Sequence, residues 1–149
     1  FILTGYLLVG RHTSAFHRND PHAGRSDMTI TLQATEHKTF AKPEETREFP
    51  NGRAEILQVG GAAIGRLSFE PGWRWSNDVK PLAGTSSCEA PHFQYHVSGQ
   101  LGIRMDDGTE IVAGPGDITS LPSGHDAWVI GDEPVVTIDW YGATDYARA

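Results

Sequence analysis

From residue 54 onward the chain is built of short runs in which apolar and polar residues alternate, set apart by turns rich in glycine and proline. A period of two is that of a half-buried strand, whose successive side chains point to opposite faces. AEILQVG (54–60) is followed by Gly60-Gly61, and AAIGRLSFE (62–70) by Pro71-Gly72. HFQYHVSG (92–99) and LGIRMDD (101–107) bracket Gly99, and TEIVAG (109–114) runs into Gly114-Pro115-Gly116. DITSLP (117–122), AWVIG (127–131) and PVVTIDWYG (134–142) complete the series. Asp107-Gly108 between two such runs is a two-residue hairpin signal. WRWSNDVKP alternates as well, with Trp73, Trp75 and Asn77 on one face and Arg74 and Ser76 on the other. No stretch carries a helical period over about 11 residues. The predicted class is all-β, about eight short antiparallel strands in a double-sheet sandwich or barrel.

The N-terminal part has a different texture. MTITLQATEHKTFAKPEETRE (28–48) reads as a short strand and then an extended arm containing Pro43. Residues 11–27 are polar and patternless, which predicts disorder. FILTGYLLVGRH, at the start, lacks the basic leader and cleavage pattern of a signal peptide. The first methionine is Met28. The expected organisation is therefore a disordered or non-native extension over 1–27 and one barrel domain over 28–149. His12, His17 and His22 then have no role.

Composition narrows the partners. At 149 residues the chain suits one domain with one core. The net charge of −7, with no stripe of Lys and Arg, argues against nucleic acid and anionic membrane surfaces. One cysteine excludes an internal disulfide and fits a reducing, cytoplasmic setting. No apolar run approaches the roughly 20 residues of a membrane span.

Candidate chemistry concentrates in SSCEAPHFQYHVSG (86–99), which holds the only cysteine and two of the three histidines in the last hundred residues. Its thiol and imidazole side chains are Cys88, His92 and His96.

The stretch GPGDITSLPSGHDAW resembles the second motif of the cupin superfamily, with Gly116, Pro122 and Gly124 at the expected spacings. Ala127 stands where that motif carries a metal-binding histidine. Anchoring the first motif on Gly99 puts its glutamate position at His92 and its two leading histidine positions at Ser86 and Cys88. Sixteen residues separate Gly99 from Gly116, an ordinary gap between the two motifs, and the likeness covers about residues 50 to 141. The stretches EPGWRWSNDVKPLAGTSSCEAPHF, YHVSG and LPSGHDAWVIGDEP look like those of a group of small single-domain cupins. The resemblance implies an antiparallel jelly-roll β-barrel. It also implies a divalent metal ringed by three histidines and a glutamate, but here those four positions read Ser86, Cys88, His92 and Ala127, of which two are competent ligands.

Two further histidines are candidates to complete the set. On a regular strand His92, Gln94 and His96 share a face. At ~3.3 Å per residue, however, His96 lies ~13 Å beyond His92, too far to share a metal. His125 lies two residues before Ala127, and parity would give it the same face if no turn intervened. A Cys88–His92–His125 set with one water would suit an open zinc site, or iron, manganese or nickel. The competing reading makes Cys88 a small buried hydrophobe, His92 a hydrogen-bonded barrel residue and His125 a turn residue.

The remaining features describe a pocket. Trp73 and Trp75, pointing inward, would wall a flat or apolar ligand. Lys80 could bind a carboxylate or simply be solvated, Gln94 and His96 would line the pocket, and Cys88, His92 and His125 would form its polar floor. Trp128 and Trp140 are expected in the core. Asp126 is placed to face away from its neighbour His125. Acid–base catalysis by His92 or His96, and nucleophilic attack by Cys88, are weaker options, since nothing in the sequence resembles the catalytic His–Asp pair of sugar-epimerase cupins. The two principal readings are a small-molecule-binding or sensing cupin with a degenerate metal site, and a metal-dependent enzyme of dioxygenase, isomerase or lyase type. A homodimer paired through edge strands is expected in either case.

Overall fold

The computed structural model describes residues 34–147. The expectations for residues 1–27, including His12, His17 and His22, and for a strand just after Met28 lie outside the described residues. The strands are β1 (Glu45–Phe49), β2 (Gly52–Val59), β3 (Ala62–Phe69), β4 (His92–Ser98), β5 (Gln100–Met105), β6 (Glu110–Ala113), β7 (Ile118–Leu121), β8 (His125–Ile130) and β9 (Val135–Asp139). Two sheets form, in the orders β1-β2-β3-β9-β4-β7 and β6-β5-β8, and every pairing is antiparallel. The alternation predicted an antiparallel sandwich or barrel, and the resemblance its double-sheet jelly-roll form; the two antiparallel sheets agree with both.

The alternation does what a period of two requires. In β4, His92, Gln94 and His96 are buried while Phe93, Tyr95 and Val97 are exposed. In β8, His125, Ala127 and Val129 are buried, and in β9 Val135, Thr137 and Asp139 are. Leu67, Phe69, Trp73, Leu101 and Ile103 fill the space between the sheets, with the Trp73 ring stacked on Phe69 at 3.9 Å. Each large apolar side chain buried this way contributes about 1.5–3 kcal/mol.

The structure departs from the alternation in several places. Residues 73–80 are not a strand: two single-turn helices, α1 (Trp75–Asp78) and α2 (Lys80–Ala83), interrupt the run. The Asp126 carboxylate accepts the Ser76 N–H, Asp78 accepts the Arg74 N–H, and Gly84 in the left-handed region ends the second turn. Four residues are too few for a helical period to show. The arm predicted before residue 48 contributes β1 at its end. The hairpin loop is three residues, Asp106 to Gly108, closed by the Met105 N–H on the Thr109 carbonyl. Only Gly108 there has positive φ, the three-residue loop type. Strand β8 begins at His125, two residues earlier than predicted.

Trp128 and Trp140 are not core residues. Trp128 lies half-buried with the Arg74 guanidinium 4.9 Å over its ring, and Trp140 is 49% exposed. Among the described residues no helix is long and apolar enough to cross a membrane.

After β9 the chain turns back over one end of the barrel. Arg47 donates to the carbonyls of Ala143, Thr144 and Tyr146 at 3.2, 2.8 and 2.6 Å. Gly65 makes room for the segment, since a Cβ there would stand 2.3 Å from that of Ala143. The Tyr146 side chain is buried against Phe49, Phe69 and His92.

Candidate metal centre

Three elements meet under that segment. His92 opens β4 and His125 opens β8, both with side chains inward. Cys88 precedes β4 and bridges to His125: its N–H donates to the His125 carbonyl at 2.8 Å, and its carbonyl accepts the Gly124 N–H at 2.7 Å. This bridge brings the chain before β4 alongside the start of β8. The ligand atoms of Cys88, His92 and His125 lie within 4.8 Å of one another, and all three residues are buried. Cys88 Sγ is 3.8 Å from His92 Nε2.

Both imidazoles are held by the far nitrogen. His92 Nδ1 lies 2.6 Å from Asp139 Oδ2, and Asp139 also accepts the backbone N–H groups of Phe93 and Tyr141. His125 Nδ1 lies 3.1 Å from the Pro122 carbonyl, which can only accept. Nδ1 therefore carries the proton in each ring, and the Nε2 lone pairs are left for the shared space. A histidine held by a carboxylate or carbonyl on its other nitrogen is the usual arrangement behind a metal ligand.

The charges follow burial. Burial, and secondly the neighbouring His92, bring His125 down to about 4, so it is a neutral imidazole near neutral pH. Burial pushes the Cys88 thiol up to about 12, against the opposing effect of the Ala90 backbone. Without a cation Cys88 is a thiol; a thiolate there needs a positive charge beside it. A sulfur and two imidazole nitrogens suit zinc, iron, cobalt or nickel rather than calcium or magnesium. On donor set and orientation the residues fit a metal.

Two cavities flank the trio. An inner void of about 20 Å³ is lined by Trp73, Trp75, His92, Gln94, His125, Ala127 and Tyr146 among others. An outer pocket of about 280 Å³ is lined by Val79, Ala83, Cys88, Glu89 and Pro91 among others, and Trp75 and Tyr146 line it as well. The inner void has the volume of a water, not of an organic ligand. Of the two tryptophans expected to wall one chamber, Trp73 stacks on Phe69 and lines only the inner void, whereas Trp75 lines both the void and the outer pocket.

The other residues singled out in the sequence are scattered. Gln94 lines the inner void. His96 lies further along β4, fully buried, its Nε2 3.0 Å from Thr119 Oγ1, and it is outside the trio. Burial lowers its pKa. Lys80 is exposed on α2 and lines neither cavity. Ser86 is exposed, and Ala127 faces the void where the cupin motif carries histidine. Asp126 turns away from His125, onto Arg74 and Ser76.

Sequence reasoning missed Asp139 and Tyr146. Asp139 had a signal: it sits at an inward parity of PVVTIDWYG, where a carboxylate needs a partner. Tyr146 lies past the last strand, where no pattern applies.

No family model matches the chain, and no curated protein does. Solved structures do. A protein of unknown function from Rhizobium leguminosarum bv. viciae is 19% identical with a TM-score of 0.52, the match covering 72% of this chain and 95% of that one. The polyketide cyclase RemF from Streptomyces resistomycificus is 16% identical with a TM-score of 0.51, covering 71% and 78%. A cupin-like protein from Thermotoga maritima is 17% identical with a TM-score of 0.43, covering 61% and 68%. At these identities the likeness to the first two is one of fold alone, a small antiparallel domain of two sheets, and the buried Cys/His/His cluster is a feature of this chain.

Proposed function

We propose that the chain is a metal-dependent cupin in which Cys88, His92 and His125 hold one divalent ion. The observation that carries this reading is the pair of imidazoles anchored through Nδ1, which with Cys88 Sγ bring one ligand atom each to within 4.8 Å of one another. Three protein ligands leave a position for an exchangeable ligand, as catalytic sites do. When bound, such an ion polarises an oxygen of substrate or water.

The chain's own residues supply the rest. Asp139 fixes the His92 ring, and the Pro122 carbonyl fixes that of His125. The residues that line the inner void are all buried. The outer pocket, with Cys88 on its wall and a volume near the lower end for small-molecule sites, is the place for an organic substrate. Titration with Co(II) tests the metal reading: a cobalt–thiolate absorption band that Cys88→Ser removes is expected. Its absence from the wild type would contradict it.

The second reading, a binding or sensing module without catalysis, draws on the same outer pocket and on Trp75 beside it. The two part at the metal: ligand binding unaffected by stripping the ion favours the module. Homodimerisation is also proposed. It is supported by the exposed apolar outer face of Phe93, Tyr95, Val97 and Ile118 on the neighbouring strands β4 and β7. Sedimentation at equilibrium, with Ile118→Lys shifting the mass toward monomer, tests it.

A further inference from the structure

Three polar atoms on residues lining the inner void have no partner among the described residues: Trp73 Nε1, Gln94 Oε1 and the Tyr146 hydroxyl. Buried donors and acceptors are paired with few exceptions, because losing water without gaining a bond is unfavourable. Here three exceptions gather around one water-sized space that His92 and His125 also line. Tyr146 is not there by accident of a loose end. Arg47 grips the carbonyls on its segment, Gly65 accommodates Ala143, and the phenol ring sits 5.4 Å from the His92 ring.

We propose that the inner void is the subsite for the metal's exchangeable ligand, a water or an anion of its size, and that the Tyr146 hydroxyl and the Trp73 indole N–H are its hydrogen-bond donors. Gln94 Oε1 accepts when that ligand is a water. This rests on the metal reading and adds to it a preference: ligands that are small and accept hydrogen bonds are favoured over larger, weakly accepting ones. It also makes the C-terminal segment part of the site, since it carries one of the two donors.

The test uses Co(II)-loaded full-length protein with fluoride and bromide as probes, followed by the cobalt absorption spectrum. Tyr146→Phe keeps the ring and removes only the hydroxyl. The wild type is expected to bind fluoride more tightly than bromide. Tyr146→Phe is expected to take up cobalt normally and to bind fluoride about tenfold more weakly, the loss of one hydrogen bond to a charged acceptor. Bromide affinity should be nearly unchanged. Independently of any variant, fluoride should perturb the near-ultraviolet tyrosine and tryptophan bands of the wild type along the same isotherm. Equal fluoride affinity in the two proteins, or an isotherm without that perturbation, overturns the subsite and leaves the metal reading intact. A wild type that takes up no cobalt overturns both.

Discussion

His92 Nδ1 and Asp139 Oδ2 are 2.6 Å apart, both buried, at the mouth of the barrel. The pair joins β4 to β9 and decides which nitrogen of His92 faces Cys88. Replacing the carboxylate by an amide disturbs that choice, since an Asn side chain can present N–H as readily as C=O. Asp139→Asn is expected to weaken metal affinity by about 10–100-fold, the usual cost of removing the group behind a histidine ligand. Competition with a chromophoric chelator measures it. An unchanged affinity would mean that Asp139 serves the fold alone.

Metal uptake should carry a proton signature from Cys88. The thiol stands at about 12 in the metal-free protein, so at neutral pH it must lose its proton to bind. Affinity therefore rises with pH, and Cys88 contributes about tenfold per unit. In Cys88→Ser that contribution is absent. Measuring affinity at several pH values in both proteins gives the difference in slope, expected to be one proton per ion.

Acid should destabilise the metal-free form in a defined window. His125 is depressed to about 4 and His96 is also lowered, both chiefly by burial, so each is neutral in the fold and protonates more readily once unfolded. The stability tied to them is whole above the unfolded value of about 6.5 and is lost as pH falls through the folded values. For His125 the loss by about pH 4 is roughly 3 kcal/mol. Denaturant midpoints measured from pH 7.5 down to 4 check this, and His125→Gln should flatten the curve.

The C-terminal segment should come away when its clamp is cut. Arg47→Ala removes three donated hydrogen bonds and leaves the strands untouched. Hydrogen exchange is expected to quicken over residues 142–147 while the amides of β3, β4 and β9 keep their protection. Uniform acceleration across the barrel would show that the clamp supports the whole fold.

Much of this architecture was legible because alternation is a local signal. HFQYHVSG, with buried and exposed residues in strict turn, assigns His92, Gln94 and His96 to one face from spacing alone. The trio was legible by another route: Cys88 and His92 fall at ligand positions of the cupin motif, and His125 stands two residues before Ala127, its parity obscured by the turn that precedes it. The size of the pocket was not legible. It depends on the Trp73–Phe69 stack and on Tyr146, which comes from beyond the last strand. The single-turn helices at 75–83 were hidden as well: their first turn is held by Asp126, fifty residues downstream of Ser76, and tertiary bonds of that kind leave no mark on a local pattern.

The central claim is that Cys88, His92 and His125 hold a metal ion, and elemental analysis of untagged protein tests it most directly. After dialysis against zinc or iron(II) and removal of free ion, the wild type should retain close to one metal per chain, and Cys88→Ser and His125→Ala should retain almost none. A wild type that stays metal-free after refilling with iron, manganese, nickel and zinc would contradict the account, leaving the trio as buried polar packing.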